Sequence, residues 1–282
     1  MTLTFVGALA LTALGGLATE TMLDKSAAAL TLDERVALEL DAMLDRLGWE
    51  APESEALARL AAPLEATHGT RLLVATRPFR LPLPTGLLEG GSPERRLPTS
   101  IYVVVAELSR YPEGFLEAAG LERVVLCAGL REAGEPIPSL PNYQGSLLID
   151  VDAPAPFLRR LLHHEVFHFV DFADDHVVKS DPEWSALNVS GFSYGEGGRS
   201  VRDPAASLLT EALPGFLTRY ATAAVEEDKA EVFAFMMTAP ETVLGRARSD
   251  GVLGEKVALL ERRLEGSFAG RSQDLWRSRG PR

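Results

Sequence analysis

The chain has 282 residues with 28 basic and 40 acidic side chains, a formal net charge of -12. That length is enough for a buried core and one or two domains, and the acidic balance lacks the clustered Lys and Arg that nucleic-acid binding requires, so no nucleic acid is expected as a partner. A single cysteine, Cys127, excludes an intramolecular disulfide; set in Val124-Val125-Leu126-Cys127, it reads as a small apolar residue of a buried strand rather than a reactive thiol.

Residues 1–18, MTLTFVGALALTALGGLA, are apolar and uncharged, with Gly16 and Ala18 suitably small for signal-peptidase cleavage. They read as an export signal, although no basic side chain precedes the apolar run. The run is too short and glycine-rich for a stable membrane span. A periplasmic or secreted location is therefore favoured over the cytoplasm, with an N-terminal core helix as the other reading. Residues 19–68 form an N-terminal helical segment. Thr31, Glu34 and Gly48 frame an amphipathic helix over 31–48, and a second helix is predicted from Glu53 to Ala66.

From Arg71 the pattern becomes β-rich. Strands are predicted at Arg71–Phe79, Ser100–Leu108, Arg123–Gly129 and Ser146–Val151, with 80–98 as a Pro- and Gly-rich loop. A long apolar helix follows, Pro156 to Asp174, then a loop-like stretch over 179–207. Helices are expected near Ser207–Ala212, over Val225–Thr238 and over Gly254–Gly266. Strands followed by helices argue for an α+β domain spanning 69–282.

The long helix carries His164-Glu165-Val166-Phe167-His168. Residues four apart share one helix face, so both imidazoles can meet one metal ion, and Glu165 can reach a water bound to it. Neutral imidazoles suit zinc, and a catalytic zinc site takes three protein ligands and leaves one position open. Three of the five histidines fall at 163, 164 and 168, inside apolar surroundings where buried polar groups need partners. His163 points away from such a metal, and His68 receives no role.

The third ligand is sought in YATAAVEEDKAEVFAFMM, 220–237. Glu227 and Glu231 stand four apart on one face, beside the small Ala230 and Ala234. One would ligate while the other hydrogen-bonds a ligating histidine; spacing alone does not choose between them. An exposed acidic first turn is the other reading, and Glu226 and Asp228 fit that description better. Asp171 lies on the face of His164 and His168, either orienting an imidazole or capping the helix end. Asp174 and Asp175 read as its solvated terminus.

The ordered pattern H-H-E-x-x-H-F-x-D (163–171), G-F-L-T-R-Y-A (215–221) and E-D-x-A-E-V-F-A (227–234) resembles the gluzincin branch of the zincin metallopeptidases, and within it the anthrax lethal factor and Pro-Pro endopeptidase family. The resemblance covers roughly 145–245. It implies a zincin-like fold: a small mixed sheet, the H-E-x-x-H helix, then a helical C-terminal subdomain. It also implies one Zn²⁺ per chain held by His164, His168 and Glu227, with Glu231 behind a ligating histidine, Glu165 as general base and Tyr220 as the hydroxyl on the oxyanion. The substrate it implies is a peptide or protein. A zincin strand of this kind borders the cleft, so Ser146, Leu148 and Asp150 are candidate substrate contacts, with core packing as the alternative. The 59-residue step from His168 to Glu227 is longer than in that family, so 181–200, with Trp184 and Tyr194, is an inserted loop that lines the site or packs on the surface. Non-proteolytic zinc binding, or hydrolysis of a non-protein amide, is the alternative function.

Overall fold

The computed structural model describes residues 42–44, 46–47, 49–83, 86–93, 97–143, 145–201, 204–268, 270 and 275. The suggested export signal and most of the helix expected over 31–48 lie outside them. Strands β1 (Trp49–Glu50), β2 (Arg71–Ala75), β3 (Phe79–Leu83), β4 (Gly86–Gly91), β5 (Leu121–Glu132), β6 (Glu135–Pro136), β7 (Ser139–Pro141) and β8 (Gly145–Asp150) form one mixed sheet. Helices α1 (Glu55–His68), α2 (Leu97–Leu108) and α3 (Phe115–Ala118) are interleaved with the strands. Then follow α4 (Ala155–Asp175), α5 (Pro182–Ser185), α6 (Val225–Thr238), α7 (Pro240–Ala247) and α8 (Gly251–Ser267). The fold is α+β with a helical C-terminal part, and no described helix is long and apolar enough to cross a membrane.

The sheet is organised around β5. Its first half pairs in parallel with β2 on one side and β8 on the other. Its second half pairs antiparallel with β4 and, through a tight hairpin, with β6. β7 runs antiparallel to β8, so both edges of β8 are occupied. The β-rich run of β5 is buried on both faces, and side chains alternate along a strand. Val124 and Leu126 therefore enter the main core beneath the helices, while Val125 and Cys127 enter a smaller core with Phe79, Leu81 and Leu88. Leu130 joins that smaller core because the positive φ of Gly129 breaks the alternation.

Three expectations are corrected. Ser100–Leu108 is helical, not a strand. Its β-branched run suggested a strand, but Ile101, Val104, Val105 and Leu108 also recur at helical spacing, and all four are buried in the main core while Tyr102 is 61% exposed. Packing against α1 and α4 outweighs the weak intrinsic preference of Val and Ile. The segment expected as a loop over 80–98 contains the β3–β4 hairpin and the start of α2. Ser207–Ala212 is not a helix: a 3-10 turn over Pro204–Ser207 gives way to a bridge between Leu209 and Thr218.

α4 and α6 pack against each other and position the site. The middle of α4, from Leu161 to Phe172, is buried throughout, and Ala230 and Ala234 of α6 are fully buried. Small side chains there permit the two backbones to come close, which brings polar groups of facing helices within hydrogen-bonding reach.

Candidate metal centre

His164, Glu165 and His168 lie on the central turns of α4, each about 6% exposed. Glu227 projects from the first turn of α6 towards them. Its Oε2 lies 3.0 Å from His164 Nε2 and 3.8 Å from His168 Nε2, and the candidate ligand atoms of the three residues all lie within 4.8 Å of one another. The two imidazole rings stand 5.0 Å apart and nearly perpendicular. Glu231, one turn along α6, occupies the other side of His164: its Oε1 is 3.1 Å from Nδ1. Its Oε2 accepts a 2.7 Å hydrogen bond from Thr218 Oγ1, and Thr218 Oγ1 in turn accepts from the Ala221 amide. Glu231 accepts from Nδ1–H of His164, which leaves Nε2 as the ring nitrogen turned to Glu227 and His168, the orientation that metal ligation uses once that nitrogen gives up its proton.

Glu165 Oε1 accepts a 2.7 Å hydrogen bond from Ser139 Oγ on β7, whereas its buried Oε2 has no partner among the described residues. Burial pushes the Glu165 carboxyl up to about 7. Burial also drives the His168 imidazole down to about 4. For His164, burial works against the charge, but the hydrogen bonds to Glu227 and Glu231 outweigh it and lift the group to about 10. Tyr220 opens a 3-10 turn, Tyr220–Ala223, immediately before α6. Its ring stands 5.9 Å from His164, and burial, then the Glu227 carboxylate, pushes its phenol well above the usual range.

These residues line a cleft of about 1130 Å³ that also takes in β7, Tyr143 and the 194–201 segment. Its apolar wall includes Ile137, Leu140, Phe157, Val178 and Val225. Ser146, Leu148 and Asp150 do not line it, which corrects their assignment as substrate contacts. Ser146 accepts from Arg123 Nε, Leu148 belongs to the smaller core, and Asp150 caps the amides of Leu130 and Asp152. The physical reason is that β7 covers the edge of β8, so β7 is the strand bordering the cleft.

Asp171 is also reassigned. Its Oδ1 takes a 2.6 Å ion pair with Lys229 of α6 rather than an imidazole, and His168 Nδ1 has no partner among the described residues. Lys229 also reaches Asp181, which Arg263 of α8 grips through both guanidinium nitrogens. His163 turns away from the metal candidates, as expected, to hydrogen-bond Tyr111 and Glu107.

Asp228 departs most from expectation. It is fully buried, and its Oδ2 accepts from Trp184 Nε1 (2.8 Å), Tyr194 OH (2.7 Å) and Lys256 Nζ (2.7 Å). Trp184 and Tyr194 of the long loop are thus pinned to α6 one residue after Glu227. The signal in the sequence was Lys256, one of only four lysines, followed by the apolar run Val257-Ala258-Leu259-Leu260, where a charge requires a partner. Thr218 stood in the G-F-L-T-R-Y-A stretch without a role. Ser139, between two prolines, carried no signal at all.

No protein-family model matches the sequence, and no curated protein does either. Among solved structures, the crystal structure of a putative zinc-binding metallo-peptidase from Bacteroides caccae ATCC 43185 aligns with 64% of this chain and 79% of its own, at 16% identity and a TM-score of 0.36. A likeness that low leaves function to the chain's own geometry. Neither these results nor the fold places the chain in the lethal factor family.

Proposed function

We propose that this chain is a zinc-dependent endopeptidase of the gluzincin type, acting on peptide or protein substrates. The observation that carries the reading is the convergence of His164, His168 and Glu227, whose candidate ligand atoms all lie within 4.8 Å of one another, with Glu165 Oε2, unpartnered among the described residues, in the same cleft. Two imidazoles and one carboxylate are a donor set that suits Zn²⁺, and the buried oxygen without a partner suits a site that receives a further group. One zinc ion held by these three residues would supply Lewis-acid chemistry, polarising a carbonyl and acidifying a water.

The chain's own residues divide the remaining work. Glu165 takes a proton at Oε2 and returns it to the leaving amine, while Ser139 fixes its other oxygen. Tyr220 donates its hydroxyl hydrogen to the developing oxyanion. Glu231, braced by Thr218, keeps His164 in the ligating tautomer. The outward-facing edge of β7 receives an extended substrate backbone, as exposed strand edges do. The resemblance to the lethal factor and Pro-Pro endopeptidase family supports the same assignment of roles, and the apolar run at 1–18 supports action outside the cytoplasm.

The test is cleavage of a diverse peptide library by wild type beside Glu165→Gln, with zinc content measured in both. Cuts by wild type alone, with one zinc in each protein, are expected. Full activity in the Gln variant would remove Glu165 as the base, and a wild type that takes up no zinc would overturn the reading.

A further inference from the structure

Residues 194–201 form a strap across one wall of the cleft. Tyr194 ties it to Asp228. Its backbone is stitched to the Tyr220–Ala223 turn by Gly195 N–H to Thr222 O (3.0 Å) and Gly197 N–H to Ala223 O (2.9 Å). It then tightens into a 3-10 turn over Gly198–Ser200. The strap's two central glycines have different reasons for being glycine. Gly197 has φ of 102°, a conformation L-residues avoid, and open space where a side chain would stand. Gly198 has no such φ; what excludes a side chain there is contact. A Cβ on Gly198 would overlap Glu227 Oε1 and the Tyr220 hydroxyl and lie 2.8 Å from Glu227 Cδ.

Glu227 presents Oε2 to the two histidines, so Oε1 is the oxygen turned to the strap. The bare Cα of Gly198 is thus the surface against which the non-ligating oxygen of one functional residue and the hydroxyl of another both rest. The two groups hydrogen-bond each other and Glu227 Oε2 meets His164; the strap bounds the pair on its remaining side. We propose that the strap is a positioning element of the metal centre and that Gly198 sets the Glu227 carboxylate and Tyr220 hydroxyl at their places in the cleft. This rests on the zinc reading above. It also gives the inserted loop a role, because the strap, tethered through Asp228 and stitched to the Tyr220 turn, closes the side of the ligand that α4 leaves open.

The experiment is zinc affinity by competition with a chromogenic chelator, with the metal-free melting temperature recorded beside it, for wild type, Gly198→Ala and, as a control just before the strap, Ser193→Ala. Gly198→Ala is expected to weaken zinc by about 10- to 100-fold, the range for losing a group that orients a ligand. Its metal-free melting temperature should stay near wild type, and Ser193→Ala should match wild type in both. In a Tyr220→Phe background, where one of the two overlaps is gone, the loss caused by the alanine should shrink. Wild-type affinity in Gly198→Ala, or the same loss with and without the Tyr220 hydroxyl, overturns the proposal while leaving the zinc reading intact. A wild type without zinc overturns both. If Gly198→Ala does not fold, Tyr194→Phe decides: it frees the tether and adds no atom, so a severalfold loss of zinc affinity supports the strap and an unchanged value overturns it.

Discussion

Two buried polar clusters lie side by side between α4 and α6, and they are balanced differently. On one side, Asp171 and Asp181 face Lys229 and Arg263, two anions against two cations with short contacts throughout. On the other, Glu165, Glu227 and Glu231 gather around His164 and His168, and the nearest guanidinium, Arg160, stands 3.9 Å from Glu231. The first cluster balances its charges, although Asp171 Oδ2 has no hydrogen-bond partner among the described residues. The second carries more carboxylate than fixed positive charge, in a place where unpaired charge is costly. The contrast separates a cluster that pairs its own charges from one whose composition suits the cation proposed above. Acidic and basic side chains meet in both, and what separates the two is whether their charges close.

The sharpest way to break the comparison is Glu227→Ala. Zinc affinity should fall by more than the roughly 10- to 100-fold typical of losing an outer partner, whereas Glu231→Ala should stay inside that range. Equilibrium dialysis reads both, and equal losses would erase the distinction between ligand and support. Next comes Lys229→Met in the balanced cluster. It strands Asp171, leaves Asp181 to Arg263 alone, and should cost about 3–5 kcal/mol of stability by urea unfolding. A neutral result would mean that the ion pairs do not hold α4 to α6.

Tyr220→Phe should lower turnover by roughly a hundredfold, as losing one oxyanion donor does, while zinc content by mass spectrometry stays at one per chain. Unchanged turnover would take Tyr220 out of the chemistry. The smallest effect is an acid one. Asp181 is held down to about 2, against its burial, chiefly by Arg263 and Lys229. A depressed carboxyl contributes stability that is full above its ordinary value of 3.8 and is lost as pH falls towards 2. Melting curves between pH 5 and 2 should therefore decline more steeply for wild type than for Arg263→Met. Parallel declines would show that this pair does not set the acid limit.

The grouping of the candidate metal-site residues was legible because their signal is local. His164, Glu165 and His168 sit within five positions on one helix, and Glu227 and Glu231 share a face by the same periodicity. Strand β8 and helix α6 were legible for the same reason, being uninterrupted runs of one pattern. What was missed depends on contacts between distant segments. α2 reads as a strand until its Val and Ile residues meet α1 and α4, and Asp228 reads as solvated until Trp184, Tyr194 and Lys256 arrive from elsewhere in the chain. The error over Ser146 and Leu148 arose from the same source, since nothing in β8 announces that β7 folds back along its edge. Gly198 is one of several glycines in its loop, and only the approach of Glu227 and Tyr220 distinguishes it.

The two-faced burial of β5 also constrains how the chain can change. Because Val124 and Leu126 belong to one core and Val125 and Cys127 to the other, inserting or deleting a single residue within that strand would exchange the contents of both cores at once. Length variation among descendants of this sequence is therefore confined to the connections between elements, and the middle of β5 is the stretch where an alignment gap should never fall.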